Sequence, residues 1–288
     1  MRIIVCVKQV PDTTVPLQID TKTNSFKEEG VIYVLNPQDK CALEEAIRIK
    51  ERVGGEVTAI TLGPPRSKKA LRSCLAMGAD KAIHIYDNSF ELDAYATSVV
   101  LAKAISTLPY DLILCGKQAI DDNAGLVGPG IAETLGLPGV FGVTRIELSP
   151  DTQTMVVHRK IERGDREVVE CPIPAVLTME SGINEPRYPS LPDHMAALKA
   201  QIPTLDHASL NIHPGTLTRM MQVVGVSSPR PRPKKLFVPD STLPPAERMK
   251  LMLSGGVAEK KSELLTGPPS QVASKIIQYL IREKILSI

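Results

Sequence analysis

Short apolar, β-branched runs recur through the first half of the chain, at Ile3–Val7, Val57–Leu62, Ala82–Ile85 and Leu112–Cys115. Runs of this length and composition, bounded by glycine, proline or charge, predict buried strands. Helical spacing separates most of them. In Pro37–Val53 the apolar Ala42, Leu43, Ala46, Ile47 and Val53 fall on one face. Asn36 predicts the N-cap of that helix, Pro37 its first position and Gly54-Gly55 its stop. Ala70–Met77, ended by Gly78, and Ala94–Leu108 predict two more helices. Strands alternating with helices predict an α/β fold on a doubly wound, mostly parallel sheet of Rossmann-like topology. Ligands of such sheets bind off the carboxyl ends of the strands, which directs attention to the loops after Val7, Leu62, Ile85 and Cys115.

The pattern changes after Pro138. Val140–Leu148 and Met155–Cys171, the latter turning at Arg163-Gly164-Asp165, predict a β-hairpin addition, and Ala175–Met179 a returning strand. The first domain is expected over residues 1–182. The next segment, 183–203, contains INEPRYPSLPDHM, whose apolar residues between prolines fit no core element. From 204 to 288 the chain carries PRPRPKK, FVPDSTLPP and MLSGG before a helical pattern at Gln271–Lys284. Proline at that density predicts an extended C-terminal arm that wraps a partner.

Composition narrows the classes. With 288 residues, 43% hydrophobic, the chain is long enough for a sizeable core. A formal net charge of +2, 3% aromatics and no Trp give a nucleic-acid role no support. The five cysteines are dispersed without a C-x-x-C pair and read as small core hydrophobes in a reducing compartment, the cytoplasm. The opening MRIIVCVKQV has too short an apolar run for a signal peptide, and no run approaches a membrane span. The five histidines lack a metal-ligand rhythm, and no metal site is expected.

One stretch stands out chemically: GKQAIDDNAGLVGPG, Gly116 to Gly130, between a strand and a helix. A helix beginning near Asn123–Pro129 points free N–H groups and the positive end of its dipole at an anion. Glycines at 125, 128 and 130 let a ligand approach the backbone. Asp121 and Asp122 repel a phosphate if they face it; they are expected to accept hydrogen bonds from hydroxyls or N–H groups, or to cap the helix. The alternative is a well-capped turn with no ligand, since neither G-x-x-x-x-G-K-[ST] nor G-x-G-x-x-G is present. Lys8 either is an ordinary solvated charge or faces a phosphate. No nucleophile–base set is visible, so a nucleotide domain of this kind relies on a cofactor for chemistry.

The segments VCVKQVPDT, LNPQDKCALEEAIRIKE, LRSCLAMGADKAIHI, DLILCGKQAIDD and INEPRYPSLPDHM together resemble the beta (small) subunit of electron transfer flavoprotein. The resemblance implies an adenine-nucleotide-binding sheet and a heterodimer with an alpha subunit. Such a heterodimer is an electron carrier between acyl-CoA dehydrogenase-type flavoenzymes and other redox partners. It implies an FAD shared with the alpha subunit and, in the beta subunit, either AMP or a second FAD that takes hydride from NADH in electron-bifurcating members. By matching motifs, the nucleotide-binding residues are Cys6, Lys8, Asn36, Pro37, Gln38, Asp39 and Leu62. The loop Gly116, Lys117, Gln118, Ala119, Ile120, Asp121, Asp122, Asn123, Ala124, Gly125, Leu126 and Val127 completes them. Leu191 is implied as the apolar anchor for a dehydrogenase. Thr13, where AMP-binding members often carry an aromatic residue, is similar to the bifurcating group and favours FAD. A stand-alone ATP- or AMP-binding module of the universal-stress type is the alternative reading of the same sheet.

Overall fold

In the computed structural model the described residues are 1–15, 19–20, 25–26, 29–86, 88, 92–149, 151, 153–213, 217, 219–222, 224, 239–253, 265–282 and 286. The strands are β1 (Arg2–Cys6), β2 (Gln9–Pro11), β3 (Ile19–Asp20), β4 (Ser25–Phe26), β5 (Tyr33–Leu35), β6 (Glu56–Leu62), β7 (Lys81–Ile85), β8 (Leu112–Gly116), β9 (Gly139–Leu148), β10 (Thr154–Lys160), β11 (Arg166–Pro172), β12 (Ala175–Met179) and β13 (Thr204–Leu205). The helices are α1 (Pro37–Val53), α2 (Lys68–Met77), α3 (Ala94–Ile105), α4 (Val127–Leu135), α5 (Leu191–Lys199), α6 (Pro245–Leu253) and α7 (Pro269–Arg282).

Among the described residues, nine strands form one sheet in the order β11-β10-β9-β12-β8-β1-β6-β7-β13. It is parallel from β9 through β13 and antiparallel only at the β9-β10-β11 end. The α/β expectation and the hairpin addition both hold. Strand alternation sorts the core between two faces. Ile3 and Val5 of β1 pack with Leu43, Ile47 and Leu71 of α1 and α2, whereas Ile4 and Cys6 pack with Val100, Leu101 and Ile131 of α3 and α4.

This winding fixes where a ligand can sit. From β1 the chain moves through α1 to β6 and through α2 to β7, then crosses by α3 to β8 on the opposite side of β1. Strand order therefore reverses between β1 and β8, and their carboxyl ends part to leave a crevice at the switch point.

The short strands β2, β3, β4 and β5 and helix α6 had no sign in the sequence pattern, and two further elements depart from it. Leu191–Lys199, expected as part of an irregular loop, is a helix started by Pro192 and by Ser190, whose Oγ accepts from the Asp193 N–H at 3.3 Å. The start of the expected arm is a sheet edge: Thr204 and Leu205 pair with His84 and Ile85 of β7. The chain divides into compact units at Met1–Ser228 and Pro229–Ile288. In the second unit α7 exposes Ile276, Ile277, Tyr279 and Ile281. The PRPRPKK segment, the end of MLSGG and Lys284 lie outside the described residues. No described helix is long and apolar enough to cross a membrane.

Candidate functional site: a crevice between β1 and β8

The crevice has a volume of about 310 Å³. Cys6, Val7 and Lys8 leave β1 along one side, and Cys115 through Ala119 leave β8 along the other. The amino ends of α3 (Leu92, Asp93, Thr97) and α4 (Val127, Gly128) close it from one face of the sheet. Leu62, Leu92, Leu101 and Val127 give it an apolar wall.

Asp39, in the first turn of α1, ties the two sides together. Its Oδ2 accepts the Lys8 N–H at 2.7 Å and its Oδ1 the Gly116 N–H at 3.0 Å. The carboxyl is buried, and burial pushes its pKa up to about 7 against those two donors. Beside it, Gln38 Oε1 accepts the Gln118 N–H at 2.8 Å. Asn36 occupies the N-cap position predicted for it, but its side chain makes no cap bond. Instead it donates from Nδ2 to the Gln118 carbonyl at 3.0 Å and accepts the Ile120 N–H at 3.2 Å. The Asn-Pro-Gln-Asp start of α1 is thus a clamp on the loop after β8.

The clamp decides which groups remain for a ligand. The N–H groups of Gly116, Gln118 and Ile120 are taken by α1, and that of Lys117 by the Met179 carbonyl at 2.9 Å. At the start of α4, the N–H groups of Gly125, Leu126, Val127 and Gly128 donate to no described residue. These are the orphan donors of a helix amino end, carrying the positive end of its dipole. Gly125 supports them with φ +62, a left-handed conformation that favours glycine. Gly128 and Gly130 are small for a different reason than ligand approach: a Cβ would strike the Thr178 side chain at 128 and the Ser98 side chain at 130.

The acidic pair is neutralised from within. Lys8 Nζ bonds Asp121 Oδ1 and Asp122 Oδ2, each at 2.9 Å. Asp121 also accepts the Asp122 N–H, and Asp122 the Ala124 N–H at 3.0 Å, so both carboxylates hold the turn. Burial alone lowers the Lys8 pKa, but the hydrogen bonds its ammonium donates to Asp121 and Asp122 outweigh it and the net shift is upward. Lys117 is likewise committed, to Glu180 at 2.7 Å. With its side-chain cations paired, the loop offers an anion backbone donors and a dipole.

Of the residues singled out in the sequence, Cys6, Lys8, Asp39, Leu62, Gly116, Lys117, Gln118, Ala119, Asp122, Ala124, Gly125 and Val127 line the crevice. Asn36, Pro37, Gln38, Ile120, Asp121 and Asn123 lie behind it as clamp and turn, and Leu126 faces outward beside Tyr95. The wall from α3 was missed. Its signal was Asp93 directly before the helical run, where its Oδ1 accepts the Ala96 N–H at 2.7 Å as N-cap.

A second surface lies on α1 and α2. Arg187 bonds Glu44 at 2.9 Å and Glu51 at 2.6 Å, and Arg72 donates to the carbonyls of Ala197, Leu198 and Ala200 at the end of α5. Burial would raise the Glu44 carboxyl, but its bonds to Arg187 and Arg48 hold it below the usual range. These ties fix a short element that presents Tyr188, Leu191, Met195 and Leu198 to solvent, Leu191 at 74% exposure. Together these residues form an exposed apolar patch held in place by ion pairs and hydrogen bonds at its back.

Residues 23–210 match the electron transfer flavoprotein domain. The electron transfer flavoprotein subunit beta of Thermoanaerobacterium thermosaccharolyticum is 47% identical over 192 residues, 66% of this chain and 72% of its own. The corresponding subunit of Bacillus subtilis is 35% identical over 269 residues, 92% of this chain and 96% of its own. Subunit CarD of the caffeyl-CoA reductase-Etf complex of Acetobacterium woodii is 43% identical over 217 residues, 74% and 81%.

Proposed function

Because this chain belongs to the electron transfer flavoprotein family, as a beta subunit, we propose that the crevice binds an adenine nucleotide within a heterodimeric electron carrier. The observation that carries this reading is the set of orphan N–H groups at Gly125–Gly128, opening onto a crevice whose nearby side-chain charges are paired. An adenosine phosphate suits that chemistry: the anion meets backbone donors, and the base meets Leu62, Leu92 and Leu101. At about 310 Å³ the crevice is at the small end of ligand pockets, so it holds the adenosine part of a larger cofactor and leaves a flavin ring outside.

Which nucleotide is bound sets the role. AMP would be structural; a second FAD would supply hydride acceptance from NADH, as electron bifurcation requires. The likeness to CarD and the Thr at position 13 favour FAD. Lys8 and Asp39 hold the binding loop in either case. The test is to co-express the chain with an alpha subunit, denature the purified heterodimer and identify the released nucleotides. One adenine nucleotide per crevice beyond the alpha-subunit FAD is expected. None released would overturn the site, and two FAD per heterodimer would establish the second flavin.

The patch on α5 is the proposed contact for an acyl-CoA dehydrogenase-type flavoenzyme, with Leu191 as anchor. Burying a leucine contributes about 1.5–3 kcal/mol, so Leu191→Ala is expected to raise the KM for that partner by roughly 10- to 100-fold. Heterodimer assembly and nucleotide content should not change. An unaltered KM would remove Leu191 from the interface. Residues 238–288 are proposed to bind the alpha subunit, with the apolar face of α7 as the main contact. Deleting them should abolish co-elution of the two subunits, whereas an intact complex on gel filtration would exclude this role.

A further inference from the structure

Two cysteines stand side by side in the floor of the crevice. Cys6 ends β1 and Cys115 lies one residue from the end of β8, and the two are register partners across adjacent parallel strands. Partners of this kind share a sheet face, and both side chains belong to the apolar cluster under α3 and α4. Neighbouring strands lie about 4.8 Å apart, inside the range of roughly 4.4–6.8 Å between Cα atoms that a disulfide spans. The two side chains are therefore direct neighbours across the strand pair. Both line the crevice, whereas Cys41, Cys74 and Cys171 do not.

We propose that Cys6 and Cys115 are a modification site: a cross-strand dithiol that closes to a disulfide when the crevice is open and is shielded when a nucleotide covers it. Only the shielding rests on the nucleotide reading of the crevice. The oxidant is a small-molecule disulfide. The Cys6 sulfur attacks it, releasing one small thiol and leaving a mixed disulfide. The Cys115 sulfur then attacks Cys6 and displaces the second small thiol. Two electrons pass to the reagent, and the two cysteine protons leave on the departing thiols.

The surroundings suit this order of events. Cys115 is held well above the usual thiol range, first by the neighbouring Cys6 thiol and then by burial. Once Cys6 is tied up in the mixed disulfide the first of these causes is gone, and Cys115 becomes the better attacking group. The amino end of α4 also lies over it: a Cβ on Gly128 would sit 3.8 Å from the Cys115 Cβ. A helix amino end stabilises a thiolate. A separation of about 4.8 Å lies toward the short end of the range a disulfide spans, and a bridge held away from its preferred geometry is readily reduced. The site therefore suits a reversible modification.

The experiment uses the full-length heterodimer stripped of nucleotide in chaotropic salt and returned to buffer. It is treated with oxidised glutathione, then alkylated and digested with trypsin. The expected product joins residues 3–8 to residues 104–117 with loss of two hydrogens, is reversed by dithiothreitol, and is not formed by Cys115→Ser. With AMP or FAD at about ten times its Kd, linkage should be about tenfold slower, because only the free fraction reacts. Alkylation of both residues after oxidant treatment would overturn the dithiol, and so would a stable mixed disulfide at Cys6 alone. Equal rates with nucleotide shown by equilibrium dialysis to be bound would overturn the shielding. Absence of binding in the same dialysis would count against the nucleotide reading, while the linked peptide would still uphold the dithiol.

Discussion

Replacing Asp39 by alanine should cost the chain about 2–5 kcal/mol and empty the crevice, because the half-buried N–H groups of Lys8 and Gly116 both lose their acceptor. The loss is cooperative in position. Those two N–H groups sit at the exits of the two strands whose parting forms the site, so removing one carboxylate frees both walls. Urea unfolding and nucleotide content of the purified complex measure the effect; a variant within about 0.5 kcal/mol of the parent would mean that water replaces the carboxylate.

Asp39 also gives the protein a pH signature. Burial raises its pKa to about 7 in the folded chain, above about 4 for an unfolded aspartate. The folded state therefore holds this proton more tightly than the unfolded state. The resulting stabilisation is complete below about pH 4 and is lost as the pH rises through about 7. Asp39→Asn carries no such proton, and its stability relative to the parent should improve steadily across that window. A difference that stays flat with pH would show that the two N–H donors hold Asp39 ionised throughout.

The elements that position the site were legible because their signals are local. Asn36-Pro37 and Gly54-Gly55 bracket α1 where the pattern placed it, and the strands of the main sheet other than β13 fell within one or two residues of the observed ends. The use made of Asn36 was not legible. Its acceptor and donor lie in the loop at Gln118 and Ile120, brought near by the parallel pairing of β1 with β8, and no local spacing encodes that contact. Helix α5 was hidden for a different reason. Of its residues only Ala197 is buried, so it has no apolar core stripe for periodicity to detect. Gly128 and Gly130 carried a real signal that was read toward a ligand. The space their missing side chains leave is filled by Thr178 and Ser98, which lets α4 lie close on the sheet and on α3.

Gly116→Ala tests the same junction from the opposite strand, by crowding where Asp39→Ala removes a tie. A methyl group at 116 would meet Asp39 Oδ1 first and would stand 2.8 Å from the Asp39 nitrogen and 2.9 Å from the Gln38 carbonyl carbon. The last two are backbone atoms of the first turn of α1, so a change of rotamer cannot relieve the clash. Either α1 retreats from the end of β8 or the strand end shifts toward the crevice. Both movements break the bond from the Gly116 N–H to Asp39 and that from the Gln118 N–H to Gln38. Overpacking of this kind costs about 1–3 kcal/mol, and nucleotide affinity should fall further than stability does, since the displaced atoms form the wall of the site. Equilibrium dialysis with AMP or FAD, set beside urea unfolding of the same variant, separates the two effects. Wild-type affinity in a folded Gly116→Ala heterodimer would place the ligand away from the exit of β8.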